Sequence, residues 1–236
     1  MELPKFSHPT FTLNLPSTKQ VITFRPFLVK EEKILLVAQS SGEQSDIVRA
    51  IKNVVASCIV TEGIDVDDFT TFDLEYFFIK LRAKSVQNII KLSYKDNEDE
   101  QIYDVEVDLD QVEIVGHENS NKKITIDANS GLMLRYPRIS IMNSVEHIDN
   151  PVDFNFAIME ACIEKVYSGD SVVKLSDFSR EEVATFIDTL DVRTYQSIQQ
   201  FIENMPRVEH TISYVNSTGR EVKIVLKSLT DFFTLG

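Results

Sequence analysis

Residues 92–110, LSYKDNEDEQIYDVEVDLD, gather Asp96, Glu98, Asp99, Glu100, Asp104, Glu106, Asp108 and Asp110 with no basic residue after Lys95. Carboxylates this dense are the oxygen donors that a hard cation such as calcium takes. The spacing fails that test. An EF-hand loop needs glycine at its sixth position and glutamate at its twelfth. Counted from Asp96 these positions hold Gln101 and Val107; counted from Asp65 they hold Thr70 and Tyr76. The stretch instead alternates, with Tyr103, Val105, Val107 and Leu109 on one face and Asp104, Glu106, Asp108 and Asp110 on the other. That is a half-buried strand with a carboxylate face, following an acidic turn. It predicts a solvated surface hairpin that binds no structural metal, whose row of charges could dock a basic partner.

Other chemistries find no constellation. The 4 histidines, His8, His117, His147 and His210, are scattered, and none pairs with another at i, i+4. The HExxH, GxSxG, GxxxxGK and GxGxxG patterns are absent. With 7 glycines in 236 residues, phosphate-cradling loops are scarce. The 2 cysteines, Cys58 and Cys162, supply no disulfide framework or four-cysteine zinc site within one chain, and both sit in apolar helical patterns as buried free thiols. No catalytic, metal or cofactor residue is predicted. The formal net charge of -13, from 24 basic and 37 acidic residues, repels phosphate backbones and anionic lipid. Without a dense Lys/Arg cluster or an apolar run long enough to span a bilayer, nucleic acid and membrane are not expected partners. The chain reads as soluble and made in a reducing cytoplasm.

The elements that would carry these residues follow from periodicity. Residues 10–27 read as two short strands around Pro-Ser-Thr-Lys. VKEEKILLVAQSS is a helix ending near Gly42. In the next, Ile47, Val48, Ile51, Val54, Val55, Cys58 and Ile59 form one stripe, and in a third Leu74, Phe77, Phe78 and Leu81 recur at i, i+3, i+4 and i+7. From Val86 to about Pro137 the pattern is β. Asn150-Pro151 opens a helix, Ser179 and Glu182 make a capping box for another, and Pro206 stops a third. A hairpin, HTISYVNSTGREVKIVL, precedes the apolar residues Leu229, Phe232, Phe233 and Leu235. The fold class is α+β, with a central β region of hairpins and a C-terminal β-hairpin. Residues 1–85 hold N-terminal strands and helices, 86–148 a β-rich middle, and 149–236 a helical region with the closing hairpin. Ser93-Tyr94 and Ser213-Tyr214 each precede a polar turn, the form of a distant duplication.

LPSTKQVITFRPFLVKEEKILLVA (15–38), FFIKLRAKSV (77–86) and HTISYVNSTGREVKIVLKSLTDFF (210–233) together resemble the T-even-type phage baseplate hub subunits and hub assembly proteins. The resemblance implies a non-enzymatic role in the structure or assembly of the baseplate hub, through binding to other hub and tail proteins. It also implies an alternative, a chaperone-like assembly factor for the tape-measure protein that is absent from the mature virion. The location implied is the tail baseplate of the virion, or the host cytoplasm during assembly. Some relatives carry a Cys-x-x-Cys pair in such a hairpin turn; here the turns read DNED and NSTG, which removes any zinc site there. On the family reading the partner-binding candidates are Phe24, Arg25 and Phe27, the helix end with Lys80, Arg82 and Lys84, and the terminal Phe232 and Phe233. Each has an ordinary alternative: strand-to-helix packing around Pro26, cations facing a helix C-terminus, and phenylalanines docked on the protein's own core. Self-association is left open.

Overall fold

The computed structural model describes residues 6–116, 122–145 and 147–233. The chain forms two compact units, one of Met1–Val115 with Arg207–Gly236 and one of Gly116–Pro206. The architecture is α+β, with small antiparallel sheets and helices interleaved.

The first unit begins with β1 (Phe11–Asn14) and β2 (Val21–Phe24), paired antiparallel from Phe11↔Phe24 to Asn14↔Val21. Their turn is held from outside. The Ser17 N–H and hydroxyl donate to the Asp73 carboxylate at 2.9 and 2.5 Å. Helix α1 (Val29–Ser41) ends on Gly42, whose φ of 74° is the left-handed conformation glycine adopts without strain. Helix α2 (Gln44–Cys58) buries Ile51, Val54, Val55 and Cys58 completely, while Val48 at the edge of that stripe is exposed. Helix α3 (Thr71–Ser85) is capped by Thr70, whose hydroxyl accepts the Asp73 N–H, with Asp73 reaching back to the Thr70 N–H. It buries Phe72, Leu74, Phe77, Phe78, Ile79 and Leu81, an apolar surface almost all round, as befits a central helix. Then come β3 (Ile89–Lys95) and β4 (Ile102–Asp108), a hairpin paired from Ile89↔Asp108 to Lys95↔Ile102, and β5 (Glu113–Val115).

The second unit is built on a four-stranded antiparallel sheet. It comprises β6 (Lys123–Thr125), β7 (Ser130–Leu134), α4 (Ile139–Val145), α5 (Pro151–Cys162), β8 (Ile163–Ser168), β9 (Ser171–Lys174), α6 (Arg180–Asp188) and α7 (Val192–Glu203), with strand order β6-β7-β8-β9. Leu132, Leu134, Met159, Cys162, Ile163, Ile198 and Phe201 form its core, and Tyr136 stacks on Phe201 at 5.2 Å. Gly131 has to be glycine: a Cβ there would collide with the Ile124 carbonyl and the Tyr167 ring. The hairpin β8–β9 interrupts a stretch expected to be helical, because α5 passes into β8 at Ile163 with no breaker residue between them.

The chain then returns to the first unit as β10 (Arg207–Val215), β11 (Glu221–Leu226) and α8 (Leu229–Phe233). Strand β10 pairs with β11 on one side and with β5 on the other, Arg207 opposite Val115 and Val208 opposite Ile114. Helix α8 packs on α3.

Candidate functional site

The Phe-Arg-Pro-Phe segment leaves β2 and turns inward. Phe24 and Phe27 are buried, the Phe24 ring lying 5.9 Å from Phe11 and 5.1 Å from Phe77. The Arg25 guanidinium donates to the Glu31 carboxylate, the Ser57 carbonyl and the Pro26 carbonyl, each at 2.9 Å. Glu31 is buried and also accepts the Leu28 N–H at 2.8 Å and an ion pair from Lys30. Burial alone would raise its pKa; Arg25, the Leu28 N–H and Lys30 outweigh burial and hold it down at about 2. Arg25 is thus a bracket joining the exit of β2, the start of α1 and the end of α2. Behind it, burial pushes the Cys58 thiol up, against the opposing pull of Arg25.

At the end of α3, Lys80 is buried. Its ammonium donates to the carbonyls of Leu109, Asp110 and Val112 at 3.0, 2.8 and 2.9 Å, using all three donors on the turn between β4 and β5. Burial lowers its pKa while Asp110 opposes that shift. Lys84, exposed, holds both oxygens of Asp110 at 2.9 and 3.1 Å. Arg82 is half-buried and lines an open groove of about 550 Å³ with Gln87, Ile89, Lys91, Ser93, Asp104 and Glu106. Phe232 is buried on α8, which packs on α3; the Phe233 side chain lies outside the described residues. Nearby, burial and then the charge of Asp231 push the α3 carboxyl of Glu75 up to about 7.

The acidic turn departs from the expected solvated loop. Asp96 is 6% exposed and accepts the Tyr214 hydroxyl at 3.0 Å and the Glu98 N–H at 2.7 Å. Glu98 accepts the Asn216 amide at 3.1 Å. Asp99 accepts the Ser217 hydroxyl and the Tyr103 hydroxyl at 2.6 Å each, and the Ser217 N–H at 3.0 Å. The Tyr103 and Tyr214 rings stack 4.6 Å apart, nearly parallel. Two turns, one between β3 and β4 and one between β10 and β11, are therefore fastened tip to tip. The hydrogen bonds from Ser217 and Tyr103 hold Asp99 below the usual carboxylate range, and burial followed by the Asp96 hydrogen bond pushes Tyr214 up to about 12. The solvated-turn reading holds for Asn97, Glu98 and Glu100, which are exposed, and misses the bonds of Asp96 and Asp99, because a carboxylate serves equally well as acceptor for a neighbouring turn. The one sequence signal was the likeness between the two hairpins.

Past the turn, the carboxylates stay outside. Asp104 and Glu106 are exposed, bonded across the ribbon to Ser93 at 2.6 Å and to Lys91 at 3.6 Å. No group of three or more His, Cys, Asp or Glu stands where it could hold a metal ion among the described residues, and none of their helices is long and apolar enough to cross a membrane.

The inward-facing charges described here serve the protein's own framework, and the outward ones lie on an open ribbon and groove. The family model described as T4 bacteriophage base plate protein matches residues 8–234, and the chain belongs to this family. No curated protein and no solved structure matches it.

Proposed function

We propose that the protein works by binding other baseplate hub and tail proteins during hub assembly, with no covalent chemistry of its own. The observation that carries the reading is the family match over residues 8–234, together with a net charge of -13. A partner presenting Lys and Arg is favoured by that excess of carboxylates, and the ribbon face with Asp104 and Glu106 beside Arg82 offers it a groove. In this reading Lys84 and Arg82 sit at the rim of the contact, while Phe24, Arg25, Phe27, Lys80 and Phe232 act through the shape they give the first unit. Co-expression with each hub protein and with the tape-measure protein, followed by pull-down, tests it. Retention of at least one is expected, and retention of none, with normal tails from a phage lacking the gene, overturns it. Mass spectrometry of purified virions separates a resident subunit from a factor that departs after assembly.

A further inference from the structure

Within the second unit, residues of α4, α5, β8 and α6 border a cavity of about 330 Å³ that opens to solvent. Ligand sites run from roughly 300 to 1,000 Å³, so this one suits a small group. Its walls are apolar. Val145, Ala161, Ile163, Leu175 and Val183 are buried there, and Phe178, 45% exposed, completes them. Three charged side chains share the lining: Arg135, Glu160 and Arg180. Arg135 is half-buried and held from one side. Its Nε donates to the Ala161 carbonyl at 3.1 Å and its backbone N–H to the Cys162 carbonyl at 2.7 Å, both at the end of α5. The terminal nitrogens of this guanidinium have no acceptor among the described residues, and neither Arg180 nor Glu160 has an ion-pair partner there. The two hydroxyls of the lining are already engaged, Ser144 on the Ile141 carbonyl and Ser176 on Asp177.

We propose that this cavity binds a carboxylate carried on an apolar chain or ring, the carboxylate on Arg135 and the apolar body against Val145, Ile163, Leu175 and Val183. A guanidinium fixed along one edge, with donors left over, is a preorganised receptor for a carboxylate, which it takes through paired hydrogen bonds. Glu160 sets the limit. Against two arginines it leaves the lining one net positive charge, which matches a single carboxylate. A free organic acid offers this chemistry, and so does the C-terminal residue of a protein when that residue is apolar.

Methyl NMR of the full chain reads occupancy, with hexanoate and 1-hexanol as probes. Hexanoate should shift the methyl signals of Val145, Ile163, Leu175 and Val183 saturably, with a dissociation constant of about 1 mM or below. Hexanol should bind roughly tenfold more weakly. Arg135→Met should abolish the preference for the acid and leave hexanol binding as it was. That variant also deprives the Ala161 carbonyl of its donor. If it does not fold, Glu160→Gln decides, and should tighten hexanoate about threefold without changing hexanol. The proposal is overturned by no saturable shift, by equal binding of acid and alcohol, or by an Arg135→Met variant that keeps the preference. Unaltered hexanoate binding in Glu160→Gln also overturns it. A tetrapeptide ending in leucine, with a free carboxylate or as its amide, separates the two sources. Tighter binding than hexanoate, lost in the amide, assigns the site to a protein C-terminus, and no tighter binding assigns it to a free acid. An amide that binds as well as the free peptide overturns the carboxylate role.

Discussion

Lys80→Met separates an internal role for this lysine from a partner-facing one. Methionine keeps the aliphatic stem against α3 and deletes the ammonium. Three carbonyls lose their donor. Asp110 is exposed and regains water, but Leu109 and Val112 are fully buried. Two buried acceptors left unsatisfied cost about 1–3 kcal/mol each. Against this, the variant is relieved of a buried charge, while methionine costs about as much side-chain ordering as lysine. The expected net loss is about 2–4 kcal/mol. Urea unfolding followed by far-UV circular dichroism reads the global loss, and amide exchange at Leu109–Val112 reads the local one. A stability change below about 1 kcal/mol, joined to lost capture of a baseplate protein, would refute the internal role.

Ile51→Ala, at a fully buried position on α2, should destabilise by about 2–5 kcal/mol in the same urea assay. Glu75 titrates near 7 when folded against an ordinary 4.5, so the folded state holds the proton more tightly. Stability from this group is therefore present below about pH 4.5 and lost as pH rises through 7, up to about 3 kcal/mol, and Glu75→Gln should flatten that slope. Cys58 and Cys162 are fully buried with thiols pushed up by burial, Cys162 to about 12, so a thiol reagent should label them only after unfolding. Asp99→Ala should speed amide exchange in both turns, at 96–101 and 216–220, while leaving the cores of the two hairpins protected.

Helices were legible wherever packing is local. The stripe from Ile51 to Cys58, the boxes at Ser179 and Glu182, and the stop at Gly42 all declare themselves within a turn or two of sequence. The polar framework was not, because its bonds span the chain. Lys80 finds its acceptors 29 to 32 residues on, and Asp96 finds Tyr214 at a separation of 118. Nothing in a cation-lined helix end or an acidic turn says whether the charge will meet solvent or a distant carbonyl. The hairpin β8–β9 stayed hidden for a different reason: IEKVYSGDSVVK follows an apolar helix directly, and its only punctuation is Ser-Gly-Asp.

Val115 and Arg207 face each other in one antiparallel rung, so the whole of Gly116–Pro206 leaves and rejoins the first unit between neighbouring residues about 5 Å apart. Topologically that segment is a guest in a host whose own strands do not need it for their pairing. Its length is thermodynamically cheap to change, because closing a loop grows costlier only with the logarithm of its size. A two-residue Asn-Gly turn could take its place between β5 and β10. A connection of any length there leaves the β11-β10-β5 pairing unchanged, because both of its ends sit on one rung of the sheet.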